Sequence, residues 1–287
     1  LVFLIATTIE AEASPRVEQG GIVATLSASD AINGGIIVAD VTLPEKVRNR
    51  TSSVTGQYEN EKFEFYAVGK RRFQAVFGVP FVHAAGSSSI VIHVGEGQKA
   101  IRLELTLDVR EGDYISEQLK TDPKFVNPKK KDLLRIQREV KEIGKLYRVV
   151  TRKKHWKGLF KLPVESAITS RYGNKRIFNG AMQSYHQGLD LRAPTGTRIS
   201  APAGGRVVLA KDLFFTGNTV ILDHGYGVFT VYAHLSKLGV KRGAQVKLGQ
   251  RLGLSGMTGR ASGPHLHWGA ILHRTKVDPI FLTRVMK

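Results

Sequence analysis

A mainly β protein is the fold class this sequence predicts: an N-terminal immunoglobulin-like β-sandwich, one connecting helix, and a C-terminal domain built on antiparallel sheet. Three observations carry that expectation. Short apolar or alternating runs separated by Gly, Asn and Ser occupy the stretch from Gly20 to Val109. Helical periodicity is confined to the segment after Asn127, and glycine-punctuated alternation returns beyond Leu162.

Residues 1–13 stand apart from this plan. The apolar Leu1-Val-Phe-Leu-Ile-Ala6, followed by the small-x-small Ala11-Glu-Ala13, reads as the end of a truncated secretory signal peptide, with Ser14 as the first mature residue. Residues 14–113 then supply the sandwich. Its strand candidates are Gly21–Leu26, Gly35–Leu43, Phe63–Val68, Arg72–Phe77, Ser89–Val94 and Ile101–Val109, the last in strict in-out alternation. His83 and His93 fall here without a second ligand at metal spacing and are taken as ordinary strand or loop histidines.

Residues 114–150 form the predicted helical connector. Asn127 is placed as N-cap and Pro128 at the first helical position, while Leu133, Ile136, Val140, Ile143 and Tyr147 make one apolar face. The opposite face, with Lys129, Lys130, Lys131, Arg135, Arg138, Lys141 and Lys145, is expected to be solvated. A basic link, Arg152-Lys-Lys-His-Trp-Lys157, marks the boundary, with His155 exposed beside Trp156 as a packing anchor. Residues 151–287 form the second domain, with strands at Gly205–Ala210, Gly217–Asp223, Gly227–Tyr232 and Gly249–Leu254 and a hairpin turn at His224-Gly225. His273 is assigned to a surface hairpin and Asp278-Pro279 to a C-terminal turn.

Composition narrows the setting. A net charge of +19 and a pI near 10.2 favour polyanions, whether nucleic acid, anionic membrane surfaces or acidic polymers of a bacterial envelope. No nucleic-acid motif is present, so no specific nucleic-acid partner is expected. No apolar run approaches the roughly 18 residues of a membrane span. The absence of cysteine removes a disulfide framework and a lipidation site. The expected location is periplasmic or secreted.

The chemistry concentrates in Tyr185-His-Gln-Gly-Leu-Asp190 and the distant His265-Leu-His267. In extended chain, residues 186 and 190 share one side, as do 265 and 267, because side chains alternate with period two. Two imidazoles and a carboxylate, with one position left for water, suit a catalytic zinc.

Four segments together, His186-Gln-Gly-Leu-Asp190, Tyr232-Ala-His234-Leu, Gly259-Arg-Ala-Ser-Gly-Pro-His265-Leu-His267-Trp and Val277-Asp-Pro279, resemble the M23 (lysostaphin/LytM-type) zinc endopeptidases. Ile168-Thr-Ser-Arg-Tyr-Gly173, with Arg176 and Asn179-Gly180, resembles the family's stretch before its first ligand. The resemblance covers about the last 125 residues, an ordinary domain length. It implies one zinc per chain on His186, Asp190 and His267, set in a groove above an antiparallel sheet. His234 and His265 would line that groove, one assisting deprotonation of water and the other hydrogen-bonding the oxyanion, with the division between them open. His224 is left outside the site as a turn residue, and Gly256, Gly259 and Gly263 let backbone approach the groove.

The implied activity is a zinc metalloendopeptidase cutting peptide cross-links of peptidoglycan, with its peptide stems as the partner and D-alanyl-diaminopimelate links favoured. The N-terminal part resembles the extra domain of a Gram-negative branch and is expected to orient or occlude the groove. The main alternative is a non-catalytic M23-like module that binds peptidoglycan or activates an amidase. A nucleic-acid binder rests on charge alone, and a lipoyl-type carrier barrel leaves His186, Asp190 and His267 unexplained.

Overall fold

The computed structural model describes residues 14–45 and 53–286, so the expected signal segment lies outside the described residues. The N-terminal part is a sandwich of two five-stranded sheets. One runs Arg16–Gln19, Ile22–Leu26, Ile36–Thr42, Arg72–Gly78, Tyr66–Ala67; the other runs Asp30–Ile32, Ile101–Arg110, Gly86–Val94, Val54–Tyr58, Glu61–Glu64. Ile37, Ala39 and Val41 of the first meet Phe63, Ile90, Ile92, Leu103, Leu105 and Leu107 of the second in one core. The alternation in Ile101–Arg110 has its cause there, since every second residue enters that core and its neighbours face water.

The run Ile36-Ile-Val-Ala does not alternate, because its strand is buried on both faces. Ile37 and Ala39 turn into the sandwich, whereas Ile36 and Val38, with Val76 and Tyr66, belong to the core of the C-terminal half. The two halves therefore share apolar interior. Trp156, 1% exposed, is the anchor expected from the basic link, and its ring meets Tyr66 edge-on at 5.4 Å and Phe160 at 6.2 Å. His155 beside it is partly covered rather than exposed, its backbone N–H held by the carbonyl of His224.

The connector departs from expectation in two ways. It contains a strand, Ser116–Leu119, which pairs in parallel with Lys175–Phe178; that strand in turn pairs antiparallel with Met182–Tyr185. Its helix, α1, spans Lys130–Leu146 with Lys129 as N-cap, later than Asn127-Pro128 suggested. The backbone N–H of Asn127 still belongs to the short 3-10 turn Pro123–Phe125 that Asp122 caps, donating to the Pro123 carbonyl, and the helical bonds begin with Leu133 N–H on the Lys129 carbonyl. Ile143, Leu146 and Tyr147 pack on Leu209, Leu213, Ile221, Phe229 and Ile271, while Leu133 and Val140 of the same face stay exposed. Arg135, expected in solvent, pairs with Glu139 and reaches Asp212, and Lys211 pairs with Glu142, so charge also pins α1 to the sheet.

The C-terminal half is a ten-stranded sheet whose main path is Ile168–Ser170, Leu189–Arg192, His265–Leu272, Val228–Leu238, Gly217–Gly225, Gly205–Leu213, Gln245–Val246. A one-turn helix, α2 (Leu282–Val285), closes the described chain; it is too short to leave a periodic signal, and none was expected beyond Leu162. The His273 hairpin is also corrected. His273 is 5% exposed, its ring 6.0 Å from that of Phe63, because the sandwich covers this edge of the sheet.

Candidate metal centre

The site is assembled by strand register. In the antiparallel pair Leu189–Arg192 and His265–Leu272, Asp190 lies opposite His267 and Arg192 opposite His265. Cross-strand partners bring their side chains within direct reach. His186 arrives differently from the expected single extended stretch: it follows the strand Met182–Tyr185, and the Gln187-Gly188 turn folds its ring back over Asp190. A Cβ on Gly188 would lie 2.6 Å from Cε1 of His267, so this turn closes only over glycine.

His186 Nε2 and His267 Nδ1 are 3.0 Å apart, and Oδ1 of Asp190 lies 3.0 Å from the first and 2.9 Å from the second. The outward atoms of two of these residues are already engaged. His186 Nδ1–H donates to the Arg171 carbonyl at 2.8 Å, and Oδ2 of Asp190 accepts from Arg176. That assignment leaves the Nε2 electron pair of His186 and Oδ1 of Asp190 turned toward Nδ1 of His267. Converging electron pairs with no proton between them are stabilised by a cation, and two nitrogens with one carboxylate oxygen are the donor set of an open zinc site. The residues fit the metal that the sequence implies.

Protonation states agree with ligation. Burial works against an ionised Asp190, but without a metal the protons that His186 and His267 turn toward it hold its carboxyl well below the usual range, and a bound cation would take the place of those protons. Burial also pushes His267 down to about 4, against the pull of Asp190, so its imidazole is neutral at neutral pH.

The two remaining histidines stand beside this trio. His265 donates Nδ1–H to the Gly263 carbonyl at 2.8 Å and places Nε2 3.7 Å from Oδ1 of Asp190. His234 is 6% exposed, with its ring centroid 4.8 Å from that of His265 and 6.0 Å from that of His267. Strand alternation alone would not aim it there: Ala233 is the residue opposite His267, and His234 turns into the site through a left-handed φ of 61°. The strain is held by two bonds, N–H to the Thr216 carbonyl and Nδ1–H to the Thr258 carbonyl at 2.7 Å. Burial first, then His265 and His267, push its pKa to about 3, which keeps Nε2 an acceptor.

A cavity of about 630 Å³ lined by Glu117, Thr169, Arg192, Arg260, Ser262 and His265 opens on one side of the trio. Another, of about 380 Å³, lies on the other side between α1 and the sheet, bounded by Tyr147, Gln187, Val231, His267 and Lys276. Sequence reasoning missed Thr258 and Glu117 among the supporting residues. Thr258 acts through its backbone carbonyl, and Glu117 is a single carboxylate in an unpatterned segment, so neither leaves a signal.

His224 lies outside the trio. It is fully buried, with Nδ1 2.6 Å from the Gly204 carbonyl and Nε2 2.7 Å from Oγ1 of Thr230. Burial lowers its pKa from 6.5 to about 4. Because the unfolded chain binds this proton first, stability is complete above about pH 6.5 and falls as pH drops toward 4. Urea unfolding of chelated protein at pH 7.5 and 4.5 should show His224→Gln losing about 2–3 kcal/mol less than wild type across that interval. Equal losses would remove His224 from the acid response.

The model of "Peptidase family M23" matches residues 184–279, which include the trio, His234 and His265. A candidate peptidase M23 from Pseudomonas aeruginosa superimposes with a TM-score of 0.67 at 30% identity, over 88% of this chain and 94% of that one. Peptidoglycan DD-endopeptidase ShyA of Vibrio cholerae is 40% identical over 119 residues, 40% of this chain and 28% of its own. DD-carboxypeptidase/endopeptidase Mpg of Neisseria meningitidis is 40% identical over 95 residues, 33% of this chain and 22% of its own. The chain thus matches under a third of the length of either relative.

Proposed function

The chain belongs to peptidase family M23, and from that membership we propose that it is a zinc-dependent endopeptidase hydrolysing the peptide cross-links of bacterial peptidoglycan. The observation that carries the reading is the convergence of His186 Nε2, Asp190 Oδ1 and His267 Nδ1, with the rings of His234 and His265 next to them. A zinc ion bound there would supply Lewis acidity, activating a water and polarising the scissile carbonyl.

The protein's own residues set up that chemistry. Arg176 and the Arg171 carbonyl orient the outward atoms of Asp190 and His186, so the inward atoms need no rearrangement. Buried neutral His234, its Nδ1–H fixed on Thr258, offers Nε2 as proton acceptor. His265 is less enclosed, with its side chain 15% exposed, and is placed to exchange protons with solvent and to meet charge developing on the substrate carbonyl.

The names of ShyA and Mpg support peptidoglycan and DD-type bonds as the substrate class. The net charge of +19 favours retention on an acidic wall polymer, with attachment weakening as salt rises. Such a substrate places the protein in the cell envelope, in the periplasm or outside the cell.

Digestion of purified sacculi, read by mass spectrometry of released muropeptides, tests the reading. Release that stops with a chelator and returns with zinc is expected. Binding to sacculi without any released muropeptide would instead identify a non-catalytic wall-binding module.

A further inference from the structure

Glu117 sits on the connector strand Ser116–Leu119, 67 residues before the family match begins at 184, yet its carboxylate is the meeting point of the bonds behind the metal ligands. Oε1 accepts from Nδ2 of Asn174 at 2.8 Å. Oε2 accepts from Ser170 Oγ at 3.0 Å and from Nε of Arg176 at 3.3 Å. Each donor leads onward to a ligand. Arg176 extends to Oδ2 of Asp190, the Asn174 carbonyl receives the backbone N–H of His186, and Ser170 Oγ lies 3.0 Å from His186 Nδ1.

Proton counting makes the arrangement directional. The Ser170 hydroxyl has one hydrogen and spends it on Glu117, so toward His186 it can only accept. Acceptance there, together with the Arg171 carbonyl, keeps the proton on Nδ1 and leaves Nε2 free for a metal. Arg176, held at Nε by Glu117, donates through Nη2 both to Ser170 Oγ at 2.9 Å and to Oδ2 of Asp190, and thereby turns Oδ1 inward. The pairing is set by backbone, since Glu117 is the register partner of Arg176 in the parallel ladder. Both side chains are enclosed, at 16% and 14% exposure, so water is a poor substitute for either.

We propose that Glu117 is a positioning residue for His186 and Asp190, and that the metal centre of this chain is completed by its connector strand. The proposal rests on the zinc-site reading above. Gln at 117 keeps the size but offers a single acceptor oxygen to three donors, and it frees the Ser170 hydrogen to bond His186 Nδ1, which favours the tautomer that cannot ligate through Nε2.

Zinc affinity by chelator competition, and the visible spectrum of the cobalt(II) form, test this on the full chain. Glu117→Gln should bind zinc about 10- to 100-fold more weakly and show an altered cobalt spectrum, with the far-ultraviolet circular dichroism of the wild type. Glu117→Asp, which keeps the charge but draws it back by one methylene, should fall between the two and decides the matter if the Gln variant does not fold. Trp156→Ala, whose lost ring packs on Tyr66 and Phe160, should keep wild-type affinity and spectrum despite its lower stability. Wild-type affinity and spectrum in folded Glu117 variants would overturn the proposal. A wild-type protein that fails to bind zinc would overturn the site reading itself.

Discussion

His267→Ala is expected to abolish zinc binding and wall hydrolysis together, whereas His234→Ala should keep zinc and lose catalysis by about 10²- to 10⁴-fold. The difference follows from where the two rings point. Nδ1 of His267 lies 2.9 Å from Oδ1 of Asp190 and 3.0 Å from Nε2 of His186, so its removal leaves two ligands and a solvent-filled gap where the third stood. The His234 ring centroid is 6.0 Å from that of His267, and its fixed bond goes to the Thr258 carbonyl. Its loss leaves His186, Asp190 and His267 intact and removes only a neutral proton acceptor. Metal content of the purified variants beside muropeptide release checks both halves. Full zinc occupancy in His267→Ala, or unchanged turnover in His234→Ala, would require a different assignment of ligands and bases.

Trp156→Ala should carry the largest stability loss, about 3–5 kcal/mol. The ring is 1% exposed, and it lies in the apolar interior that takes Ile36, Val38, Tyr66 and Val76 from the sandwich and Leu189, Leu191 and Trp268 from the sheet beneath the site. Truncation leaves a cavity that rigid strands on both sides cannot collapse into. Urea unfolding followed by circular dichroism measures the loss. A change under about 1 kcal/mol would show that the surrounding chain repacks, and that the halves depend on each other less than the shared core implies.

The β character of both halves was legible because it is written in local pattern: Ile101–Arg110 alternates and is half-buried, and glycine-bounded apolar runs form the C-terminal strands. The helix was legible in kind but not in its start, because Asn127 is held in the preceding 3-10 turn and the Lys129 carbonyl takes the first helical bond. Burial of His273 was not legible, since a hairpin tip reads as surface until another sheet is laid over it. The strand Ser116–Leu119 also escaped notice: it has few apolar residues, and its order comes from a partner more than fifty residues away.

Among site residues, His186, Asp190 and His267 were proposed as ligands from residue type and spacing, His234 and His265 followed from the resemblance to M23 endopeptidases, and the structure brings all five side chains close together. How they meet was not in the spacing. The fold over Gly188, the left-handed turn at His234 and the bond from Arg176 to Asp190 each depend on atoms supplied by other segments.

The sequence by itself supplied His186, Asp190 and His267 as the candidate ligands and strands as the main scaffold, because residue type and two-residue alternation are properties of neighbouring positions along the chain. Only the tertiary structure decided that Asp190 faces His267, that Ile36 and Val38 seal one half against the other, and that Glu117 stands behind the ligands. Those outcomes are choices of partner between distant segments, settled by which pairing buries apolar surface and leaves enclosed polar groups bonded.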